Sequence, residues 1–314
     1  MRRFKKIYLG KDNDRILSFI NEHGGTVFHE PYFNQLIQKY FSTDFYYLVE
    51  SVDEFGIIAP IHSKKKIINN QLSFKALGDV PYGGFIGNEK VFEKDLKPGL
   101  FQKVEYAGMP IIKGGLHSFQ KFGETCMVDL GLFEDDIFNN IINSKRRNMI
   151  RKALKNDVSI VKYKSLEGFN LYKPLLEGLH ERLGYKHLNI DFYRELFLFY
   201  SALGQSIILL AYIDGKLCSG NLLLGNKNII HYYKGASIAN VKNMGQGELL
   251  QWEGIKWAKK NNSSYYDLCN LNKKKLPSLY KFKTGISSEI FQYPVYNNSS
   301  LSYKIFNRLL VNDK

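Results

Sequence analysis

Two glycines, Gly245 and Gly247, bracket a single residue in a turn that opens a predicted helix over residues 248–260. The first backbone N–H groups of a helix have no intrahelical partner and attract anions. Glycine at such a place lets a phosphate approach the backbone closely. The pattern predicts a phosphate-binding turn, although Gly-x-Gly also occurs where a helix entry has only a structural role.

Two arginines, Arg147 and Arg151, lie four residues apart in a basic segment over residues 145–155 that has helical periodicity. We expect Ser144 to cap this helix. Residues four apart share one helix face, and two neighbouring guanidinium groups can bind a phosphate or carboxylate. A solvated basic face explains the same spacing, and the sequence leaves both interpretations open.

A proton acceptor is harder to identify. Asp267 ends a predicted short strand over residues 264–268, and Glu248 lies in the first turn of its helix. We take Asp267 as the candidate base, while a role in orienting neighbouring groups is the alternative for it. His231 and Tyr232 lie on another predicted strand, where alternation places only one of them on a given face.

Metal chemistry is not predicted. The seven histidines show no metal-ligand spacing, and the three cysteines are scattered without a Cys-x-x-Cys pair. We interpret the cysteines as small core residues. A serine or cysteine nucleophile paired with histidine is not indicated either, which favours direct attack of one substrate on another.

The elements that must position these residues form a recognisable order. Three strands over residues 206–213, 217–224 and 229–235 predict an antiparallel meander. After the glycine turn and its helix come the strand at 264–268, a helix at 276–283 and a closing strand at 290–295. The first half is also mixed, with a helix at 31–41 followed by three strand-like segments. A helical tail over residues 303–311 is expected to pack on the body or on a membrane surface.

Several strings in this order resemble the Fem-type peptidyltransferases, which are similar to two GNAT acyltransferase modules in tandem. The resemblance spans residues 30–296 and is carried by strings at residues 81–84, 146–153, 181–184, 265–268 and 280–285. It implies an α/β fold of two tandem GNAT-like domains, each a mixed, largely antiparallel sheet flanked by helices. We place an acceptor-side domain at residues 1–133 and the acyltransferase domain at residues 134–314. No sustained heptad appears, so the resemblance is to members without a coiled-coil arm.

The resemblance also implies site residues. Lys283 corresponds to a lysine at the transfer site, where a cation stabilises the oxyanion of aminolysis. Arg147 and Arg151 would bind substrate phosphate, with Tyr82, Arg182 and Tyr232 as further substrate contacts. Gly245 and Gly247 would admit the donor phosphate.

The implied activity is transfer of an acyl or aminoacyl group to an amine of a cell-envelope glycan, nucleotide sugar or peptidoglycan precursor. No permanently bound cofactor is expected; acyl-CoA and aminoacyl-tRNA remain alternative donors. The acceptor would be a phosphate-bearing glycan or lipid-linked precursor, and no stable protein partner is inferred.

Composition sets the wider limits. A chain of 314 residues with 44% hydrophobic content can bury a substantial core. The net charge of +14 suits an anionic partner, such as tRNA or the inner membrane face. No segment reads as a signal peptide or membrane span, so we expect a cytoplasmic protein, with peripheral contact at the inner membrane face as an option. The alternative is a non-catalytic protein that binds RNA or glycan through the same fold.

Overall fold

The computed structural model describes residues 4–74, 82–88, 92–111, 119–184 and 188–312. Within these residues the chain forms two compact units. The first comprises residues 1–124 together with 291–314, and the second comprises residues 125–290.

Helices and strands are mixed along the chain. The helices are α1 (Asn13–Glu22), α2 (Pro31–Phe41), the short α3 (Glu134–Asp136), α4 (Ser144–Lys155), α5 (Leu166–Arg182), α6 (Ile190–Ala202), α7 (Gln246–Lys260), α8 (Pro277–Ile286) and α9 (Leu301–Asn312). The strands are β1 (Lys5–Ile7), β2 (Asp44–Val49), β3 (Ile57–Lys66), β4 (Asn69–Ser73), β5 (Ile86–Gly87), β6 (Gln102–Ala107), β7 (Lys121–Asp129), β8 (Ser159–Tyr163), β9 (Ser206–Ile213), β10 (Lys216–Gly225), β11 (Ile229–Ser237), β12 (Tyr265–Asp267) and β13 (Ile290–Ser299).

In the first unit, strands pair in the order β1, β2, β3, β4, β6 and β13, and β5 pairs with β3. The pairing of β4 with β6 is parallel and the others are antiparallel. Alternating apolar side chains of these strands form two clusters, one of them packed with Ile16, Phe19 and Ile20 of α1. Their burial is the main stabilising contribution to this unit.

In the second unit, strands pair in the order β7, β12, β11, β10, β9 and β8. Only β11 and β12 run parallel. The core combines β-strand residues with the apolar faces of α4 and α7, including Ile150, Leu249 and Ile255, all of which are buried. The predicted meander over β9, β10 and β11 is confirmed.

One detail differs from the sequence analysis. Ser144 is the first residue of α4, and Asn143 is the cap, because its side chain accepts a hydrogen bond from the Arg146 N–H at 3.0 Å.

The division into domains after residue 133 stays a prediction beside the bounds of the compact units. Residues 125–133 group with the second unit, and β13 returns residues 291–299 to the first, where it pairs with β6.

None of the helices in the described part of the chain combines the length and apolar character needed to cross a lipid bilayer.

Candidate active site

Two neighbouring strands of the second unit separate from each other. β11 pairs with β12 only over three residues, the last pair being His231 and Asp267. Beyond that pair β11 stays with β10 as far as Ser237, while the chain after β12 turns away. Beyond His231 and Asp267, the two strands are no longer joined by ladder hydrogen bonds. The backbone of β11 and that of the residues after Asp267 therefore line an opening between them.

A β-bulge lies directly beside this opening. Leu222 of β10 pairs with Lys234 and Leu223 pairs with Tyr232, so β11 carries an extra residue at Tyr233. A bulge interrupts the strict alternation of side chains and redirects them locally. Gly235 provides room for the Tyr232 ring, since a Cβ there would lie 1.8 Å from the Tyr232 hydroxyl.

The carboxylate of Asp267 is fully buried and accepts four hydrogen bonds. The donors are the Thr125 hydroxyl at 2.5 Å, the Cys269 N–H at 2.8 Å, His231 Nδ1 at 2.8 Å and the Cys269 thiol at 3.4 Å. Burial raises the pKa of Asp267, but the hydrogen bonds and the His231 charge lower it by more, so the pKa lies below its ordinary value. This placement suits a residue that orients its neighbours, the alternative that the sequence left open for Asp267.

Lys283 projects from α8 toward the same opening. Its ammonium donates to the carbonyl oxygens of Cys269 at 2.7 Å and Asn270 at 3.2 Å. Cys269 has φ +57, a left-handed conformation that directs its carbonyl to Lys283 while Asp267 holds its N–H. Lys283 is 6% exposed, and its Nζ lies 5.9 Å from the centre of the Tyr232 ring. The structure thus brings together three residues that the sequence analysis selected: Asp267, Tyr232 and Lys283.

Sequence spacing did not reveal the cluster formed by His231, Asp267 and Cys269. One potential ligand atom from each lies within 4.8 Å of the others, and all three residues are buried. These are donor types that zinc uses. In the structure the same atoms are joined by hydrogen bonds, since His231 Nδ1 and the Cys269 thiol both donate to the Asp267 carboxylate, at 2.8 and 3.4 Å. Burial and Asp267 raise the pKa of the Cys269 thiol well above its usual value. We describe the cluster as a hydrogen-bond network.

The glycine turn has a clear structural requirement at one of its two positions. Gly245 caps α7 with φ +91, and a Cβ there would lie 2.1 Å from the carbonyl oxygen of Met149 in α4. Around Gly247 the nearest atom to such a Cβ is in the Phe282 ring at 3.7 Å, which is ordinary contact. Because glycine has no side chain, Gly245 cannot accept hydrogen bonds from the first N–H groups of α7. These backbone donors are of the kind that bind phosphate.

An ion pair ties the elements around this turn together. Arg146 donates to the carboxylate of Glu248 at 2.7 Å and to the Lys281 carbonyl at 3.0 Å. Its guanidinium also lies 5.1 Å from the Phe282 ring centre. Arg146 therefore connects α4, the first turn of α7 and the helix that carries Lys283. The sequence analysis missed this role, since it selected the neighbouring arginine.

The two predicted phosphate-binding arginines have different surroundings. Arg147 donates to the backbone carbonyls of Asn139 and Ile142, which end the turn before α4. Arg151 donates to the Asn148 side chain at 3.2 Å and lies 5.3 Å from the Phe138 ring centre. Both side chains thus have intramolecular contacts, and their role toward substrate stays a prediction.

Arg182 lies at the edge of an apolar cavity in the second unit. Its guanidinium donates to the Ser237 carbonyl at 2.6 Å, at the end of β11. The cavity of about 400 Å³ is lined by Leu171, Leu175 and Ile238, among others. The contact of Arg182 with substrate stays a prediction.

Tyr82 belongs to the first unit and is fully buried, with its ring packed edge to face on Tyr293 at 5.0 Å. It supports its loop from within. Residue 81, the first of the string at residues 81–84, lies outside the described residues.

Comparison with known families places the second unit. Residues 144–283 match the acetyltransferase (GNAT) domain family. A search among curated proteins found no match.

Solved structures extend the similarity to the whole fold. FemX superposes with a TM-score of 0.69 at 15% identity, covering 96% of this chain and 99% of FemX. L-PGS from Bacillus licheniformis has a TM-score of 0.53 at 14% identity, with 96% and 97% covered. A tandem GNAT protein from the clavulanic acid biosynthesis pathway has a TM-score of 0.51 at 9% identity, with 95% and 100% covered.

The Fem-type, tandem GNAT resemblance expected from the sequence is confirmed at the level of fold. Residues 144–283 match the GNAT acetyltransferase domain family, and the chain has the fold seen in FemX and in the tandem GNAT protein.

Proposed function

We propose that the protein transfers an acyl or aminoacyl group to an amine of a cell-envelope glycan, nucleotide sugar or peptidoglycan precursor. The GNAT domain and the FemX-like fold support the transfer of an acyl group in general. Lys283 is the observation that carries the proposal, because a buried ammonium is fixed at the opening between β11 and β12.

Aminolysis of an ester or thioester passes through a tetrahedral intermediate with a negatively charged oxygen. An ammonium has three N–H donors, and two of those on Lys283 are directed to the Cys269 and Asn270 carbonyls. The third is left for the substrate oxygen on which charge develops. Because the group is held before the reaction, little reorganisation is needed in the transition state.

The donor is either acyl-CoA or aminoacyl-tRNA. Both carry phosphate groups, at the far end of the pantetheine arm in acyl-CoA and on the acylated nucleotide in aminoacyl-tRNA, and the N-terminus of α7 after Gly245 supports a phosphate contact for either one. The GNAT match favours a coenzyme A thioester, whereas the FemX-like fold and the charge of +14 suit a tRNA.

The acceptor assignment rests on the resemblance of the sequence strings to the Fem-type peptidyltransferases. Arg182 and the cavity beside Ser237 offer a guanidinium next to apolar surface, which suits an acceptor with both anionic and apolar parts.

The decisive experiment pairs two labelled donors with one set of acceptors. Purified protein is incubated with labelled acetyl-CoA, or with tRNA charged with a labelled amino acid, and with nucleotide-linked amino sugars or peptidoglycan precursors. Mass spectrometry should show one acceptor amine gaining the acyl mass with only one donor class. If no acceptor amine gains mass with either donor while a GNAT control enzyme is active, the proposal is wrong.

A further inference from the structure

Large apolar side chains are exposed on one part of the first unit. Ile67 is 76% exposed, Leu100 83% and Leu301 73%, and Ile68 is also exposed. We call these four residues the apolar tips. Isolated exposed apolar residues are common on proteins, so their meaning depends on whether they lie together and on what surrounds them.

The hairpin between β3 and β4 presents the first two tips in an unusual way. Lys66 pairs with Asn69, which leaves Ile67 and Ile68 as the turn, and Ile67 has φ +53. A β-branched residue is strained at positive φ, where asparagine or glycine is preferred. Ile67 is thus both strained in its backbone and exposed in its side chain. Neither property stabilises the fold, which indicates that the side chain contacts something outside the protein.

A chain of hydrogen bonds brings the tips to one region. The Asn70 N–H donates to the Phe101 carbonyl at 2.9 Å, and the Phe101 N–H donates to the Ser302 hydroxyl at 2.9 Å. Every apolar tip lies within three residues of this chain of bonds. The hairpin, the loop before β6 and the first turn of α9 therefore form one continuous surface.

The charges in the segments that carry the apolar tips are basic, and the neighbouring Glu105 is paired with Lys103. Residues 64–72, 97–104 and 300–309 contain three, two and two basic residues and no acidic residue. Of the basic residues, Lys103 is paired with Glu105. Lys64, Lys65 and Lys66 are exposed directly before the tip Ile67, and Lys304 and Arg308 are exposed on α9. Ile305 and Leu309 extend the apolar face along the same helix.

We propose that this surface docks the protein on an anionic lipid membrane. Apolar tips that insert at the level of the acyl chains, with lysines at the level of the headgroups, match the two layers of such a surface. Charge complementarity selects this partner over a second copy of the chain, whose corresponding surface would carry the same positive charge. The inference is independent of the transfer reaction.

Sedimentation with lipid vesicles tests the proposal on the full-length protein. Vesicles of phosphatidylglycerol and phosphatidylcholine in equal parts should sediment the protein, whereas phosphatidylcholine vesicles should not, and added salt should weaken binding. The triple variant Ile67→Asn, Ile68→Ser, Leu100→Ser should lower the partition coefficient by about tenfold or more. Replacing Lys64, Lys65 and Lys66 with glutamine should lower it by at least about tenfold at low salt.

Two controls separate docking from loss of folding. Asparagine is favoured at positive φ, so Ile67→Asn alone should keep or raise the melting temperature while it weakens vesicle binding. Leu203→Ser removes a 57% exposed leucine of the second unit and should leave binding unchanged. Equal binding to both vesicle types, or unchanged binding of the triple variant, would overturn the proposal. A dimer in light scattering that the triple variant abolishes would assign the surface to a second copy instead.

Discussion

The Lys283 ammonium donates to the carbonyl oxygen of Cys269, whose own N–H donates to the Asp267 carboxylate. The Asp267 carboxylate therefore fixes the position of Lys283 indirectly, because both groups bind the backbone of Cys269, a residue in the left-handed conformation. This relationship separates the two roles in the site: Lys283 acts on the substrate, and Asp267 sets where Lys283 is held.

Replacing Lys283 with methionine should abolish most transfer. The substitution keeps the volume of a buried side chain and removes the charge, and losing one such electrostatic group costs about 100- to 1000-fold in kcat. Turnover of the labelled donor measures the effect. Lys281→Met on the exposed face of the same helix is the matched control and should retain activity. Normal turnover by the Lys283 variant would remove it from the mechanism.

Asp267→Asn should impair turnover, lower stability at neutral pH and weaken the dependence of stability on acidic pH. The folded-state pKa of Asp267 is depressed, so its contribution to stability is present above the unfolded pKa of about 3.9 and is lost as pH falls through the folded value. The wild type should therefore lose stability below about pH 4, and the variant should be less stable at neutral pH but less sensitive in that acidic range. Urea unfolding at a series of pH values gives the comparison. A variant with wild-type kcat would contradict the positioning role.

His62 should make the first unit sensitive to mild acid. Burial lowers its pKa to about 3, while its ring contacts the Thr43 hydroxyl at 3.0 Å and Asn34 Oδ1 at 2.9 Å. In the unfolded chain the His62 pKa is near 6.5, so between about pH 3 and pH 6.5 the unfolded state binds a proton that the folded state does not. Stability should thus fall below about pH 6.5 by up to about 1.4 kcal/mol per pH unit. His62→Gln should flatten this slope in denaturant titrations, and an unchanged slope would assign the effect elsewhere.

The two glycines of the turn should respond differently to alanine. Gly245→Ala places a Cβ against the Met149 carbonyl at positive φ, and we expect a loss of about 1–3 kcal/mol in unfolding free energy. Gly247→Ala has room beside Phe282 and should leave the melting temperature nearly unchanged. If the turn binds donor phosphate, Gly247→Ala should raise the donor KM more than it lowers kcat. Equal melting temperatures for the two variants would contradict the geometry.

Breaking the pair of Arg146 and Glu248 should destabilise the second unit. Both side chains are mostly buried, so removing one leaves an uncompensated charge at a cost of about 3 kcal/mol or more. Arg146→Met and Glu248→Gln should each lower the melting temperature, and the double variant should lose less than the sum of the two. Additive losses would show that the two residues do not interact.

The sequence predicted strongly patterned elements well. Periodicity placed α2 at residues 31–41 and the meander of β9 to β11, because apolar spacing alone determines which face each segment buries. Two features of the site left no local pattern. The partners Arg146 and Glu248 are 102 residues apart, and nothing in its spacing distinguishes Arg146 from Arg147. His231 and Asp267 meet because β11 and β12 pair in one particular register.

The site residues illustrate the same limit. Asp267 was found from its place at a strand end, but its hydrogen-bond donors come from β7, β11 and its own turn. Lys283 was selected from a family resemblance. The fold explains its role, because it brings the Cys269 and Asn270 carbonyls to the Lys283 ammonium. Spacing reports what one element presents, whereas a site depends on how elements meet.

The return of β13 to the sheet of the first unit bears on how the chain is made. A ribosome releases residues 125–290 before it reaches the strand that pairs with β6, so the second unit is the first one whose sequence can be complete. Until β13 is synthesised, one edge of β6 is unpaired, and an unpaired strand edge can pair with other chains and cause aggregation. A protein shortened after residue 290 would keep the second unit whole and lose a strand and a helix from the first, so the first unit depends on residues that are synthesised after the second unit.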